Sequence, residues 1–490
     1  MNLIPLLLYL VVMLYITYRV GKNKNNNNFI EEYFIGGRSM GGVVLAMTII
    51  ATYVGASSFI SGPGMAYKLG LGWVLLACIQ IPTAFLTLGI LGKKMAIIGR
   101  RINGVTISDF LRARYDNELV VVLGSIAMVI FFIGAVVVQF VGGARLLQSI
   151  SGIPYHWGLL IFVLIVTGYT TFGGFRAVTI TDAIQGFVML LATFILFFVL
   201  LKKGNGMENI IQNIANINPD LLTPTSGGNI PKPFILSFWM LVGVAVLGLP
   251  PTSVRCMGFK DTKSMHNAMI IGTSVLGFIM IGMHLIGVMG IAIQPGILIS
   301  DTAIPILALN SLPGVFAGIF IAGPLAAIMS TIDSLMILSA GTIVKDLYLH
   351  YILKMDTLSS ENNNNKIVVE KVRKISLITS FSIGIIAFLL ALNPPEFLVI
   401  LNLLFIAGQE AIFFCPIVFG LYWKRANSTG ALSAMIIGFL SYIYLFIEKK
   451  DIFGLHPIVP VIFLAIISFI IGSYVGKPTS KEKIKVFFED

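Results

Sequence analysis

Charge is scarce in this chain. Asp, Glu, Lys and Arg make up 11% of its 490 residues, less than half of what a soluble globular protein carries. With 57% apolar residues and a mean hydropathy of +0.93, a water-solvated fold is excluded and a polytopic membrane protein is expected. Cysteine is also rare: Cys78, Cys256 and Cys415 lie in or next to apolar runs without metal or redox spacing, so no disulfide framework is implied. The five histidines are scattered, and no HExxH, GxSxG or Walker pattern occurs, which leaves an enzyme unsupported. The Gly-Gly pairs lack the strand-before, helix-after setting of a nucleotide loop and read as close helix packing and turns.

What is present is a series of apolar runs. Thirteen windows of about 17 to 25 mostly apolar residues satisfy the length needed to cross a bilayer: approximately 3 to 20, 41 to 67, 71 to 92, 119 to 147, 156 to 172, 181 to 201, 233 to 252, 266 to 292, 313 to 343, 375 to 392, 396 to 420, 428 to 447 and 457 to 475. The first lacks a basic leader and a small-residue cleavage site, so it is expected to be an anchor. The net charge of +11 is a topology signal and calls for no nucleic acid partner. With the N-terminus outside, 26 of the 33 Lys and Arg fall on inner connections and the C-terminal tail, so the N-terminus is expected out and the C-terminus in. The runs Asn25 to Asn28 and Asn362 to Asn365 read as solvated linkers. The outer segment 202 to 232 carries a possible short helix at Met207 to Ile214.

Two spans are interrupted midway. The first, GGVVLAMTIIATYVGASSFISGPGMAY, crowds Gly55, Ala56, Ser57, Ser58, Ser61, Gly62, Pro63 and Gly64 into its second half, and the other ends in GVAVLGLPPTSVR. Gly and Pro cannot sustain the helical hydrogen-bond ladder there. In lipid the freed backbone groups must be satisfied by protein, water or a bound solute. Matched interruptions mark the binding centre of a secondary transporter. Setting aside the first span and the last two leaves ten, with the interruptions in the first and sixth. The expected organisation is an extra helix and inner loop (1–40), a first five-helix repeat (41–201), an outer loop (202–232), a second and inverted five-helix repeat (233–420), two further helices (421–476) and a cytoplasmic tail (477–490).

In the ninth span Ala327, Ser330, Thr331 and Ser334 share one helical face. Two hydroxyls, with carbonyls of an unwound second span near Ala51 and Val54, would form a hard-oxygen site suited to sodium. The bland reading is that Ser330 and Thr331 bond back to their own helix. Asp333 and Glu410 lie inside spans, where an ionisable side chain has either a buried structural pairing or a transport role. Asp182 starts the sixth span as a helix cap or as part of an ion pathway. Arg145 reads as a snorkelling side chain near the outer end of the fourth span, with a guide for an anionic substrate as the alternative.

The stretches EYFIGGRSMGGVVLAM, ATYVGASSFISGPGMAYKLGLGW, TFGGFRAVTITDAIQG and AAIMSTIDSLMILSAGTIVKDLY closely resemble the sodium:solute symporter family, nearly end to end. LGWVLLACIQIP, GLPPTSVRC and LYWKRANSTGALSAMIIG bring the resemblance nearest to the bacterial branch that carries pantothenate. The resemblance implies an all-α, leucine-transporter-like five-plus-five core in the prokaryotic cell membrane, with sodium as coupling ion, a small organic anion as substrate, and neither a cofactor nor an obligate protein partner. Carried over by residue, it implies a sodium site of Ala51, Val54, Ala327, Ser330 and Thr331, and an ion-route role for Asp182. The substrate is expected near Thr52, Tyr53, Ser57, Ser58, Gln80, Gly248 and Pro250. Proline carriers of the family have Trp and Tyr where this chain has Val242 and Val246, and Asp at Tyr53, which argues against proline. Another organic anion or an amino acid is the alternative within transport. A membrane sensor and a channel are the rivals outside it.

Overall fold

The computed structural model describes residues 4–22, 35, 38–354, 363–394, 398–448 and 452–489. The Asn25 to Asn28 linker and Asn362 lie outside them, whereas Asn363 to Asn365 open a helix in place of the expected linker. No strand is present among the described residues, and the chain is a helical bundle. In chain order the principal helices are α1 (Ile4–Lys22), α2 (Gly42–Tyr53), α3 (Ser57–Leu69), α4 (Leu71–Arg101), α5 (Glu118–Ser151), α6 (Tyr155–Phe175), α7 (Ala177–Lys203) and α8 (Lys232–Gly248). They continue with α9 (Pro250–Arg255), α10 (Thr262–Ile293), α11 (Gly314–Ile352), α12 (Asn363–Ala391), α13 (Leu398–Tyr422), α14 (Ser428–Ile447) and α15 (Ile458–Val475).

Ten of the described helices are long and apolar enough to cross a membrane, and the pair α2 and α3, bent by 76°, forms an eleventh span. The shorter apolar helices Ile4–Val20 and Lys232–Gly248 occupy the remaining two windows read from the sequence. Outward faces carry Phe194, Leu389, Leu440 and Phe463, all exposed, which is the arrangement lipid favours. Small residues let helices approach closely in lipid. A Cβ added at Gly134 would fall 2.1 Å from the Phe405 ring, and one at Gly408 2.2 Å from the Phe131 ring, which fixes α5 against α13. Gly174 adopts φ 71°, a backbone only glycine takes readily, and so separates α6 from α7.

The basic connections meet at one end. Arg100 donates to the Phe259 carbonyl, Arg101 to those of Val486 and Glu489, and Arg38 to that of Gly104. Lys345 pairs with Asp109, whose short helix Ile107–Tyr115 also carries Arg114 onto the carbonyls of Gly420 and Trp423. At the other end the segment after α7 forms a helix, Met207–Ile217, three residues longer than expected. Its continuation lies on the turn between α3 and α4, where Cβ atoms at Gly70 and Gly72 would strike the carbonyls of Leu221 and Pro224.

The two interruptions share one backbone solution. Val54, after α2, has φ −86° and ψ 104°, and Leu249, after α8, has φ −81° and ψ 114°. One extended residue breaks each ladder. After the second break Pro250 and Pro251 open the new helix, where their missing amides cost nothing.

Candidate functional site

At the first break the freed polar groups find specific partners. The Ser58 and Phe59 amides turn to the Gly55 carbonyl, leaving the Val54 carbonyl free of its helical partner. The Ala56 amide donates to Gln139 Oε1 at 2.8 Å. Gln139 is a buried residue of α5 that sequence reasoning passed over. Its only signal was a lone amide in a long apolar run. Gly55 is tightly held: a Cβ there would lie 2.8 Å from Gln139 Oε1 and 3.0 Å from Thr331 Oγ1.

The five expected sodium residues come together between α2 and α11. Ser330 Oγ donates to the Ala51 carbonyl at 2.7 Å and the Ala327 carbonyl at 3.1 Å. Thr331 Oγ1 lies 3.4 Å from the Ala51 carbonyl, 3.3 Å from that of Val54 and 3.0 Å from that of Ala327. Both hydroxyls therefore make the bond back to their own helix that the bland reading expected, and both also cross to α2. All five residues are buried. Two hydroxyls and three carbonyls form a compact, neutral set of hard oxygen donors, the chemistry an alkali cation takes in place of its water shell.

One turn further along α11, Ser334 begins a second polar chain. Ser334 Oγ lies 3.2 Å from Thr52 Oγ1 and accepts from Arg255 Nη2 at 2.6 Å. Arg255 reaches Asp182 Oδ2 at 3.3 Å and Thr48 Oγ1 at 3.1 Å, and Thr48 donates to the same carboxylate oxygen at 2.7 Å. Asp182 Oδ1 has no hydrogen-bond partner among the described residues. Asp182 is thus an interior residue of α7 and not its cap. Arg255, counted from the sequence among the connecting-loop charges, is fully buried. The sequence alone gave an arginine at the end of a span, and only the fold turns α9 inward.

Asp333, on another face of α11, accepts from Tyr169 Oη at 2.5 Å and from Thr170 Oγ1. Arg145 pairs with Asp301 at 3.1 Å at the end opposite the basic connections. Burial pushes the Asp301 carboxyl above its ordinary range, and Arg145 opposes that rise.

A narrow cleft of about 50 Å³, open on one side, adjoins the first break. Tyr53, Ser57, Ser58 and Gln80 line it, with Asn402 and His284 as further polar groups and Trp73 and Phe238 as aromatic walls. Asn402 Nδ2 donates to Ser57 Oγ at 2.9 Å. The other expected substrate residues lie elsewhere. Thr52 turns its hydroxyl to the Thr48 carbonyl and Ser334. Gly248 backs onto α13, where a Cβ would fall 2.7 Å from the Phe414 amide, and Pro250 lines a separate cavity with Val105, Thr106 and Leu338. The second break serves close helix packing, so its residues do not reach the cleft.

Comparison with known proteins fits this geometry. The model of the sodium:solute symporter family matches residues 33–438. The chain belongs to the sodium:solute symporter family. Among its relatives, the sodium/pantothenate symporter of Escherichia coli (strain K12) is 47% identical over 475 residues, 97% of this chain and 96% of that protein. That of Haemophilus influenzae is 45% identical over 486 residues, 99% and 98% of the two chains. The structure of a sodium-coupled sialic acid symporter superposes with a TM-score of 0.80 at 20% identity, covering 97% of this chain and 98% of its own, which establishes the shared leucine-transporter-like fold. As a member of this family the chain is a multi-pass cell membrane protein. Two of the positions at which the sequence departs from the proline carriers, Tyr53 and Val242, form part of the cleft wall, whereas Val246 is buried outside it.

Proposed function

We propose that this protein is a sodium-coupled symporter that imports pantothenate by alternating access. The observation that carries the reading is its 47% identity, over nearly the whole length of both chains, to a sodium/pantothenate symporter. The oxygen cluster between α2 and α11 supports the same conclusion. Sodium replaces the two hydroxyl-to-carbonyl bridges there with direct ion contacts to Ala51, Val54, Ala327, Ser330 and Thr331. That ties the first break to α11 and stabilises one arrangement of the cleft beside it. Binding of substrate and ion is then coupled, and each tightens the other by the same factor.

The cleft suits a hydroxylated amide with one carboxylate. Ser57, Ser58, Gln80 and Asn402 offer neutral donors and acceptors, Trp73 and Phe238 cover aliphatic carbon, and among the described lining residues there is no acid that would repel the anion. The N-terminus faces out and the C-terminus in, since the connections gathered at the basic end then face the cytoplasm. Asp182 and Arg255 lie between the sodium oxygens and that end, on the ion's inward route. The coupling ion is the only inorganic participant proposed, and no chemical conversion of the substrate is involved. Uptake of labelled pantothenate into proteoliposomes tests the reading: an inward sodium gradient is expected to drive accumulation, and equal uptake with choline in place of sodium would refute it. Competition by unlabelled organic anions and amino acids in the same assay separates pantothenate from another substrate of the same core.

A further inference from the structure

Glu410 is fully buried in α13, and neither of its carboxyl oxygens has a hydrogen-bond partner among the described residues. It lies one turn past Ile406, which lines the cleft, and one turn before Phe414, against which Gly248 at the second break is pressed. The carboxyl therefore occupies the stretch of α13 between the cleft and the second break, on the side toward the basic end. Among the described residues, Tyr53, the last residue before the first break, and Tyr442 of α14 are ionisable groups within electrostatic range.

The surrounding elements, among the described residues, bring no cation to it. The only charges of α5, Glu118 and Arg145, sit at its two ends, and α14, α15 and residues 245–248 and 57–61 carry none. The short helix Ile107–Tyr115 holds Asp109, Arg112 and Arg114 near the basic end, where Arg114 binds the Gly420 carbonyl, ten residues further along α13. An ionised carboxylate without a donor or counter-ion costs several kcal/mol in such a place, far more than the neutral acid. Nothing in the sodium cluster or the cleft makes use of it.

We propose that Glu410 is a proton-binding site of the transport cycle. On the carrier reading above, the side chain holds a proton while the cleft is closed toward the basic end, and gives it to inner water when α13 and the second break separate. The proton is recovered from the same water before the empty carrier can close again, so none crosses the membrane. Alkaline inner solution keeps the side chain ionised, and thereby holds the inner path open and slows the return step.

The test is sodium-driven pantothenate uptake into proteoliposomes with the outer pH fixed and the inner pH raised stepwise. Wild-type turnover is expected to fall with rising inner pH, approaching about tenfold per pH unit above the titration of the carboxyl, whereas Glu410→Gln gives a flat profile. A flat wild-type profile, or a Glu410→Gln profile that follows the wild type, overturns the proposal. Should Glu410→Gln not yield folded protein, Glu410→Asp decides: a displaced midpoint supports the site and an unchanged one overturns it. Replacing sodium by choline at acidic inner pH tests the carrier reading separately in the same vesicles.

Discussion

The Arg255 guanidinium lies 3.3 Å from Asp182 Oδ2, and both side chains are sealed from solvent. Through Thr48 and Ser334 this pair joins α2, α7, α9 and α11. A buried pair adds little net stability, because the attraction only repays the desolvation of two ions, but removing one partner strands the other. Arg255→Ala is therefore expected to cost about 3–5 kcal/mol, read as a fall in melting temperature in detergent. Asp182→Asn combined with Arg255→Met should recover much of that loss. A double variant no more stable than Arg255→Ala would show that the charges are not coupled.

Ser330 and Thr331 each lend one hydroxyl to the proposed sodium site. Deleting a hydroxyl that binds a cation removes about 1–2 kcal/mol. Ser330→Ala and Thr331→Ala are each expected to raise the sodium concentration for half-maximal uptake by roughly tenfold, and to change saturating transport less. Sodium titrations of uptake check this, and an unchanged half-maximal concentration in both variants would count against the assigned face.

Much of this site was legible because its chemistry lies in local pattern. Ser330 and Thr331 stand on one helical face at i+3 and i+4 from Ala327, and the small-residue run that follows Tyr53 marks a break, although the structure confines the break to Val54 and Gly55 and keeps Ser57–Leu69, with Gly62, Pro63 and Gly64, helical. Both features need only the period of a helix and the intolerance of its ladder. Gln139, Arg255 and Asn402 were not legible, because each is a single polar residue whose partner lies 83, 73 and 345 positions away in the sequence. Gly248 and Pro250 show the converse. Their sequence marks a break correctly, yet a break can serve helix packing as well as ligand contact, and only three-dimensional placement distinguishes the two.

Asn402 and Ser57 tie α13 to the second half of the broken span within the cleft. Asn402→Leu removes a donor from the wall while leaving the oxygens around Ser330 in place. The expected result is a rise of roughly tenfold in the pantothenate concentration for half-maximal uptake, from the loss of about 1–1.5 kcal/mol of hydrogen bonding. The sodium requirement at saturating substrate should shift by less. If the sodium requirement shifts more than the substrate requirement, Asn402 acts on the ion and not on the solute.

The break itself depends on Gln139, which accepts the Ala56 amide at 2.8 Å. Gln139→Leu fills similar volume but leaves that amide without its acceptor in a buried setting. A loss of about 1–3 kcal/mol of stability is expected, visible as a lower melting temperature. Sodium should restore more of it than in Thr331→Ala, whose defect lies in the ion's own ligands and weakens the binding that would stabilise the fold.

Outside the spans, His456 supplies a pH dependence with a definite sign. Its amide donates to Ser237 Oγ of α8 at 2.8 Å, and its Nδ1 accepts from the Ile458 amide at the start of α15. That acceptor exists only in the neutral ring, and burial lowers the group from its ordinary value of 6.5 to about 4. The folded protein therefore binds this proton less readily than the unfolded chain. The stabilisation is complete above pH 6.5 and is lost as the pH falls toward 4. For a half-buried ring the loss is expected to be about 1–2 kcal/mol. Melting temperature measured across this range should decline in the wild type and decline less in His456→Asn, which keeps a side-chain acceptor and cannot be protonated. Parallel declines in the two proteins would assign the acid sensitivity to another group.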